Sequence, residues 1–119
     1  MYKSFNPEPI NYLNQPMFFG DSLGLVDTVN VVNKEIEMLK EKQRGGRWYP
    51  TEIGLSQDKQ DMDTAPKEIV DIMNLAISWQ HTTDSVAGRS IGAMLLPHVT
   101  NSEAEGMIGE WSCIEFIHG

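Results

Sequence analysis

The sequence predicts an all-α fold, and three observations support this prediction. Apolar residues recur every three or four positions in three segments, the spacing that places them on one face of a helix. Good capping residues, or a proline in the first turn, stand where these segments begin. No other stretch reads convincingly as a strand. With 119 residues, the chain is large enough for at most one domain with a modest core.

Composition indicates an ordinary soluble protein. Acidic residues outnumber basic ones by 17 to 9 and give a net charge of -8, which argues against sequence-independent binding to the nucleic-acid phosphate backbone. The single cysteine, Cys113, excludes an internal disulfide and is typical of a reducing compartment. The sequence has neither a secretory signal nor an apolar run of about 20 residues. We therefore expect a cytoplasmic location, with neither nucleic acid nor membrane as a partner.

Residues 1–26 are expected to form an extended arm. Three prolines interrupt any helix, and several asparagines and glycines add turn signals. The arm nevertheless carries many large apolar side chains, from Phe5 to Leu25. We expect it to pack along the outside of a larger body.

The remainder, residues 27–119, is predicted to contain helices and connecting loops. The first helix is expected to start at Asp27 or Thr28 and to run to about Arg44, where two glycines follow. Its apolar stripe consists of Val29, Val32, Ile36 and Leu39. The polar stretch after Pro50, which contains three aspartates, is predicted to be a loop.

The second and third predicted helices each bring polar groups to an apolar face. The second opens near Thr64 or Ala65 and carries its 3.6-residue pattern to Asp84, before a weak point at residues 88–92. The third opens with a capping box, Ser102-x-x-Glu105. Its apolar stripe ends in polar groups and consists of Ala104, Ile108, Trp111, Glu115 and His118.

The pair Glu115 and His118 has two interpretations. In the first, the end of the helix frays, both side chains are solvated, and the histidine is favourable at the negative end of the helix dipole. In the second, both residues bind a metal, because di-iron carboxylate bundles use Glu-x-x-His together with single carboxylates from other helices. Asp84 would be one such carboxylate. The residue pattern leaves both interpretations open.

Two other residues also have a structural and a functional interpretation. Trp48 is either a core aromatic that anchors the segment after the first helix or a buried indole that carries an electron. Cys113 has no obvious activating neighbour and is expected to be a small buried apolar residue.

Four stretches, taken together and in register, resemble the N-terminal part of the small, radical-generating subunit of class I ribonucleotide reductase. They are NQPMFFGDSLGL (14–25), RWYPTEIGLSQD (47–58), TTDSVAGRS (82–90) and EWSCIEFIHG (110–119). The resemblance implies the N-terminal part of a ferritin-like di-iron helical bundle. It also implies a role in reducing ribonucleotides to deoxyribonucleotides.

The resemblance also implies roles for five residues. Asp84, Glu115 and His118 correspond to ligands of a di-metal site, usually di-iron, with manganese or a mixed iron/manganese pair as variants. Trp48 corresponds to the tryptophan that relays the radical toward the large subunit. Trp111 corresponds to a tryptophan beside the metal-bridging carboxylate, where it would influence the surroundings of the ligands.

The family pattern contains parts that this sequence does not match. The family's tyrosine lies four residues beyond the histidine, and three further ligands and a docking tail belong to later segments. We therefore expect residues 1–119 to form a partial bundle domain, completed by a C-terminal fragment of the same small subunit. A dimeric small-subunit assembly and the large catalytic subunit would be further partners. The alternatives are a non-catalytic or regulatory module that docks on a reductase, and an inert truncated fragment.

Overall fold

The computed structural model describes residues 3–22 and 24–119. Four α-helices follow one another along the chain: α1 (Lys34–Gly45), α2 (Ser56–Thr64), α3 (Lys67–Ser90) and α4 (Ser102–His118). No strand forms in the described ranges, where one isolated antiparallel bridge joins Phe18 to Val99. The all-α prediction is therefore confirmed. Within the same ranges, no helix combines the length and apolar character that crossing a bilayer requires.

The predicted start of the first helix was wrong, because α1 begins at Lys34. The Asp27 carboxylate accepts hydrogen bonds from the backbone N–H groups of Val29 and Asn30, at 2.9 and 3.0 Å. Aspartate makes this kind of local turn as readily as it caps a helix. The chain therefore stays extended or bent until Asn33.

The prediction of a loop after Pro50 was also wrong, because this stretch contains a short 3-10 turn (Pro50–Glu52) and the whole of α2. Local polar contacts support α2: Gln57 Nε2 donates to Asp61 Oδ1 at 2.8 Å. Most residues of α2 are exposed and polar. An apolar period therefore gives no signal for this helix.

Near the expected weak point the helix changes type. The α3 helix continues through Gly88, a π-helical turn spans Ile91–Leu95, and a 3-10 turn spans Leu96–His98. The predicted capping box was wrong at the start of α4. The cap is the side chain of Asn101, which accepts from the backbone N–H of Ala104 at 2.9 Å.

The core lies where the π-helical turn, the start of α4 and the N-terminal arm meet. Its buried apolar residues are Ile91, Val99, Ala104 and Ile108. The arm is tied to this region by the backbone N–H of Phe19, which donates to the carbonyl of His98 at 2.8 Å. Thr100 adds a second tie, since its backbone N–H donates to the carbonyl of Met17 at 2.9 Å.

Much of the apolar surface lies outside this core. The side chains of Ile72, Leu75 and Trp79 on α3 are 64%, 72% and 70% exposed. The Cα radius of gyration is 19.5 Å, against about 13.5 Å for a packed domain of this length. The helices therefore leave apolar faces uncovered. Most of the predicted stripe of the first helix is also exposed, and Val29, which precedes α1, is 84% exposed.

Glu103, at the start of α4, is a buried anchor for the segment that enters α1. Its carboxylate accepts hydrogen bonds from the backbone N–H groups of Val32 and Asn33. Burial acts to raise the pKa of the Glu103 carboxyl, but hydrogen bonds from three backbone N–H groups and Asn101 outweigh it and hold the pKa below its usual value. Burial raises the pKa of the neighbouring Glu105 carboxyl instead.

Because the pKa of Glu103 is lowered and that of Glu105 is raised, we expect replacement by glutamine to have opposite effects on stability at these two positions. Because the folded-state pKa of Glu103 is lowered, its stabilisation is present above about pH 4.3 and is lost as pH falls through that lower pKa. We expect Glu103→Gln to reduce the free energy of unfolding at pH 7 by about 1–3 kcal/mol. We also expect the free energy of unfolding of this variant to fall less steeply with decreasing pH than that of the unmodified chain. Chemical denaturation at a series of pH values measures both effects.

Glu105→Gln is the matched control. The raised pKa of Glu105 means that its ionised form costs stability at neutral pH, and this cost disappears as pH falls toward about 4.3. We expect this variant to be at least as stable as the unmodified chain at pH 7. Equal destabilisation by both substitutions would contradict the assigned roles.

Candidate metal centre

Asp84, Glu115 and His118 come together between α3 and α4. Each side chain offers one ligand atom, and the three atoms lie within 4.8 Å of one another. Asp84 and Glu115 are half-buried, and His118 is exposed. The structure therefore brings together the three residues that the sequence predicts as ligands.

The close approach of α3 to α4 depends on Gly88, one turn after Asp84. A Cβ atom at this position would lie 3.3 Å from the Cβ of Glu115 and 3.3 Å from the ring of Phe116. The Ser112 hydroxyl also donates to the Gly88 carbonyl, with an oxygen–oxygen distance of 2.6 Å. The missing side chain and this hydrogen bond let the backbones approach closely enough for ligands on two helices to meet.

Trp111 holds the carboxylate of Glu115 from one turn earlier on α4. Its indole Nε1 donates to Glu115 Oε1 at 2.7 Å. Residues four apart are neighbours on a helix surface, so this contact fixes one oxygen of the carboxylate without bending the backbone. The sequence prediction of a tryptophan beside this carboxylate matches this contact.

Trp48 packs on His118. The two rings are stacked, with centroids 5.6 Å apart and an angle of 16° between their planes. Trp48 is 37% exposed, so the indole contacts the candidate ligand and also reaches the surface. A narrow space of about 20 Å³ separates this segment from α4 near Ile114 and Ile117.

Sequence reasoning missed a cluster of charges beside this site. Glu110 Oε1 accepts from Arg44 Nε at 2.8 Å, and Glu110 Oε2 accepts from Arg47 Nη2 at 2.6 Å. The Glu110 hydrogen bond raises the pKa of the Arg44 guanidinium above its usual value. Apolar periodicity carries no signal for such a cluster, because its members are polar and Arg47 and Glu110 are 63 positions apart in sequence.

The expectation for Cys113 was wrong, because the residue is exposed. Its sulfur lies 3.6 Å from Arg47 Nη2. It lies on α4 between Glu110 and Ile114, on the part of the helix that faces the segment after α1. The thiol is therefore a neighbour of the charge cluster and not a core residue.

The donor set of the candidate centre suits a particular kind of metal. Two carboxylates and an imidazole supply oxygen and nitrogen donors, which suit iron and manganese better than the soft ions that thiolates select. An ion about 2.1 Å from each ligand atom would hold any two of them at most about 4.2 Å apart. The observed spacing of up to 4.8 Å needs only small side-chain adjustments, so the residues fit a bound ion.

Fold and site together define the chain as a helical protein with a candidate carboxylate–histidine metal centre. No protein-family model matches it. Three curated relatives are all ribonucleoside-diphosphate reductase beta subunits. The proteins from Buchnera aphidicola subsp. Schizaphis graminum and Haemophilus influenzae are 37% and 33% identical to the chain, each over 98% of its length. The protein from Enterobacteria phage T4 is 31% identical over 96% of the chain.

Almost the whole chain is therefore similar to ribonucleoside-diphosphate reductase beta subunits. It spans 31% of the length of the first and second of these relatives and 29% of the phage protein. Almost all of the chain is thus similar to less than a third of each relative.

The contact at Gly88 generates a prediction about stability. We expect Gly88→Val to lower the free energy of unfolding by about 1–3 kcal/mol, because the new side chain would force α3 away from Glu115 and Phe116. Gly109→Val is the matched control, since no atom in the described part of the chain comes within 4 Å of a Cβ atom at that position on α4. Denaturant titration compares them, and equal losses would show that the close contact at Gly88 is not what matters.

Proposed function

We propose that this chain supplies one half of the ligand set of the di-metal centre in a ribonucleotide reductase small subunit. The observation that carries the proposal is the convergence of Asp84, Glu115 and His118 to within 4.8 Å on two neighbouring helices. Solvated residues at a frayed helix end would have no reason to meet a carboxylate from α3. Similarity to ribonucleoside-diphosphate reductase beta subunits supports the same interpretation.

A di-iron pair is the proposed occupant, with manganese or a mixed pair as variants. When bound, it would supply the one-electron oxidation that generates or stores the radical used to reduce ribonucleotides. Asp84, Glu115 and His118 would hold one ion, and Glu115 would also bridge toward the second. Trp111 would keep the Glu115 carboxylate oriented through its 2.7 Å hydrogen bond.

Trp48 is the proposed exit for the radical. Its ring stacks on His118 and reaches the surface, so the indole links a metal ligand to the outside of the chain. The large catalytic subunit would receive the radical there. The chain would then act as a component of ribonucleoside-diphosphate reductase, active only together with the rest of the small subunit and with the large subunit.

We propose that the rest of the small subunit supplies the remaining ligands and forms one bundle domain with residues 1–119. The relatives are about three times as long as the region matched, and large apolar faces are exposed along α3. Amphipathic helices gain most of their stability from packing such faces. In the split-subunit form of this proposal, a separate C-terminal fragment covers these faces, and two completed units form a dimer.

Substitution of Glu115 tests the ligand assignment. We expect Glu115→Gln to weaken Mn(II) binding by at least tenfold, because loss of groups that only support a ligand already costs about 10–100-fold. The loss of the free Mn(II) signal in electron paramagnetic resonance measures binding. Glu105→Gln removes a carboxylate elsewhere on α4 and should leave binding unchanged.

A co-expression experiment tests whether another polypeptide completes the site. The chain is co-expressed with the reading frame immediately downstream, and the purified material is assayed for iron, manganese and a radical signal. A co-purifying partner with bound metal is the expected result. In the substitution test, unchanged Mn(II) binding in Glu115→Gln would remove Glu115 from the site. In the co-expression test, absence of both a co-purifying partner and bound metal would overturn the split-subunit proposal.

A further inference from the structure

We propose that Glu110 is a positioning residue, which holds Trp48 against His118 by fixing the neighbouring Arg47. The inference rests on the proposed function, in which His118 is a ligand and Trp48 relays the radical. It concerns residues outside the ligand set, and it follows from the charge cluster between the end of α1 and the middle of α4.

Glu110 joins two guanidinium groups with its two oxygens. Oε1 accepts from Arg44 in α1, and Oε2 accepts from Arg47 just after α1. The Glu110 side chain is only 16% exposed, so solvent screens these charge-assisted bonds less than it screens an ordinary surface pair. The carboxylate therefore ties both sides of the Gly45–Gly46 turn to α4.

Arg47 has few other contacts to hold it. Among the described residues, its guanidinium is hydrogen-bonded through Nη2 alone, to Glu110 and more weakly to the Cys113 sulfur at 3.6 Å. Its Nε atom is enclosed without a partner in the same part of the chain. Loss of the Glu110 carboxylate would leave a partly enclosed charge unpaired, so Arg47 would have to move toward solvent.

Movement of Arg47 would carry Trp48 with it, because the two residues are adjacent in the chain. Glu110 and His118 lie about two turns, or about 12 Å, apart along α4. The α4 helix thus holds the segment after α1 at Glu110 through an ion pair with Arg47, and at His118 through stacking on Trp48. Stacking alone would leave the indole free to tilt, and the ion pair limits the rotation of the backbone that bears it.

The test is ¹⁹F nuclear magnetic resonance on the full 119-residue chain labelled with 5-fluorotryptophan. The three tryptophans give three resonances, which are assigned by replacing each tryptophan with phenylalanine. In Glu110→Gln we expect the Trp48 resonance to move by more than its linewidth toward its position in urea. The resonances of Trp79 and Trp111 should stay in place. Arg47→Gln should reproduce this shift.

Glu41→Gln is the matched control, because it removes a carboxylate that, among the described residues, pairs with Arg44 alone, at 3.0 Å. All three resonances should remain where they are in this variant. A Trp48 resonance that does not move in Glu110→Gln or Arg47→Gln, or that moves equally in Glu41→Gln, would overturn the proposal. A Trp48 resonance already at its urea position in the unmodified chain would overturn it too.

Mn(II) titration of the same chains separates this inference from the proposed function. If the unmodified chain, assembled with the complementing fragment of the small subunit, binds no Mn(II) but the Trp48 resonance shifts in Glu110→Gln, the positioning contact stands and the metal assignment fails. If Mn(II) binds and the Trp48 resonance is unaffected by Glu110→Gln, the metal assignment stands and the positioning role fails.

Discussion

The close contact between α3 and α4 at Gly88 is the constraint on which the candidate site depends. A side chain at position 88 would meet Glu115 and Phe116. Because Gly88 has none, α3 and α4 approach closely enough for a carboxylate from α3 to face the last turn of α4. The hydrogen bond from Ser112 to the Gly88 carbonyl strengthens the same contact. Site geometry is thus set by backbone packing one turn away from the ligands.

The chain is well packed at one end of α4 and open at the other. At the first turn, the side chains of buried Asn101 and Glu103 accept hydrogen bonds from backbone N–H groups, since buried polar groups must be satisfied. Ala104 and Ile108 complete the core just beyond them. At the last turn, His118 is exposed and rests on Trp48, so the functional end of the helix is the end with the least support from the core.

The spacing of apolar residues in the sequence predicted the two helices that carry the candidate ligands. It predicted that one helix extends to Asp84 and that the next includes Glu115 and His118. The structure brings these three residues together. It did not predict α2, whose surface is polar nearly all round, or the start of α1, where the Asp27 carboxylate makes a turn. The ion pair between Glu110 and Arg47 could not be predicted from the sequence either, because long-range ion pairs produce no periodic pattern.

We propose above that Asp84, Glu115 and His118 hold a metal ion together. Anomalous diffraction at the manganese edge, on crystals of the chain in its metal-loaded assembly, tests it most directly. We expect an anomalous peak about 2.1 Å from a ligand atom of each of the three side chains. A peak elsewhere, or one that only His118 approaches, would contradict it.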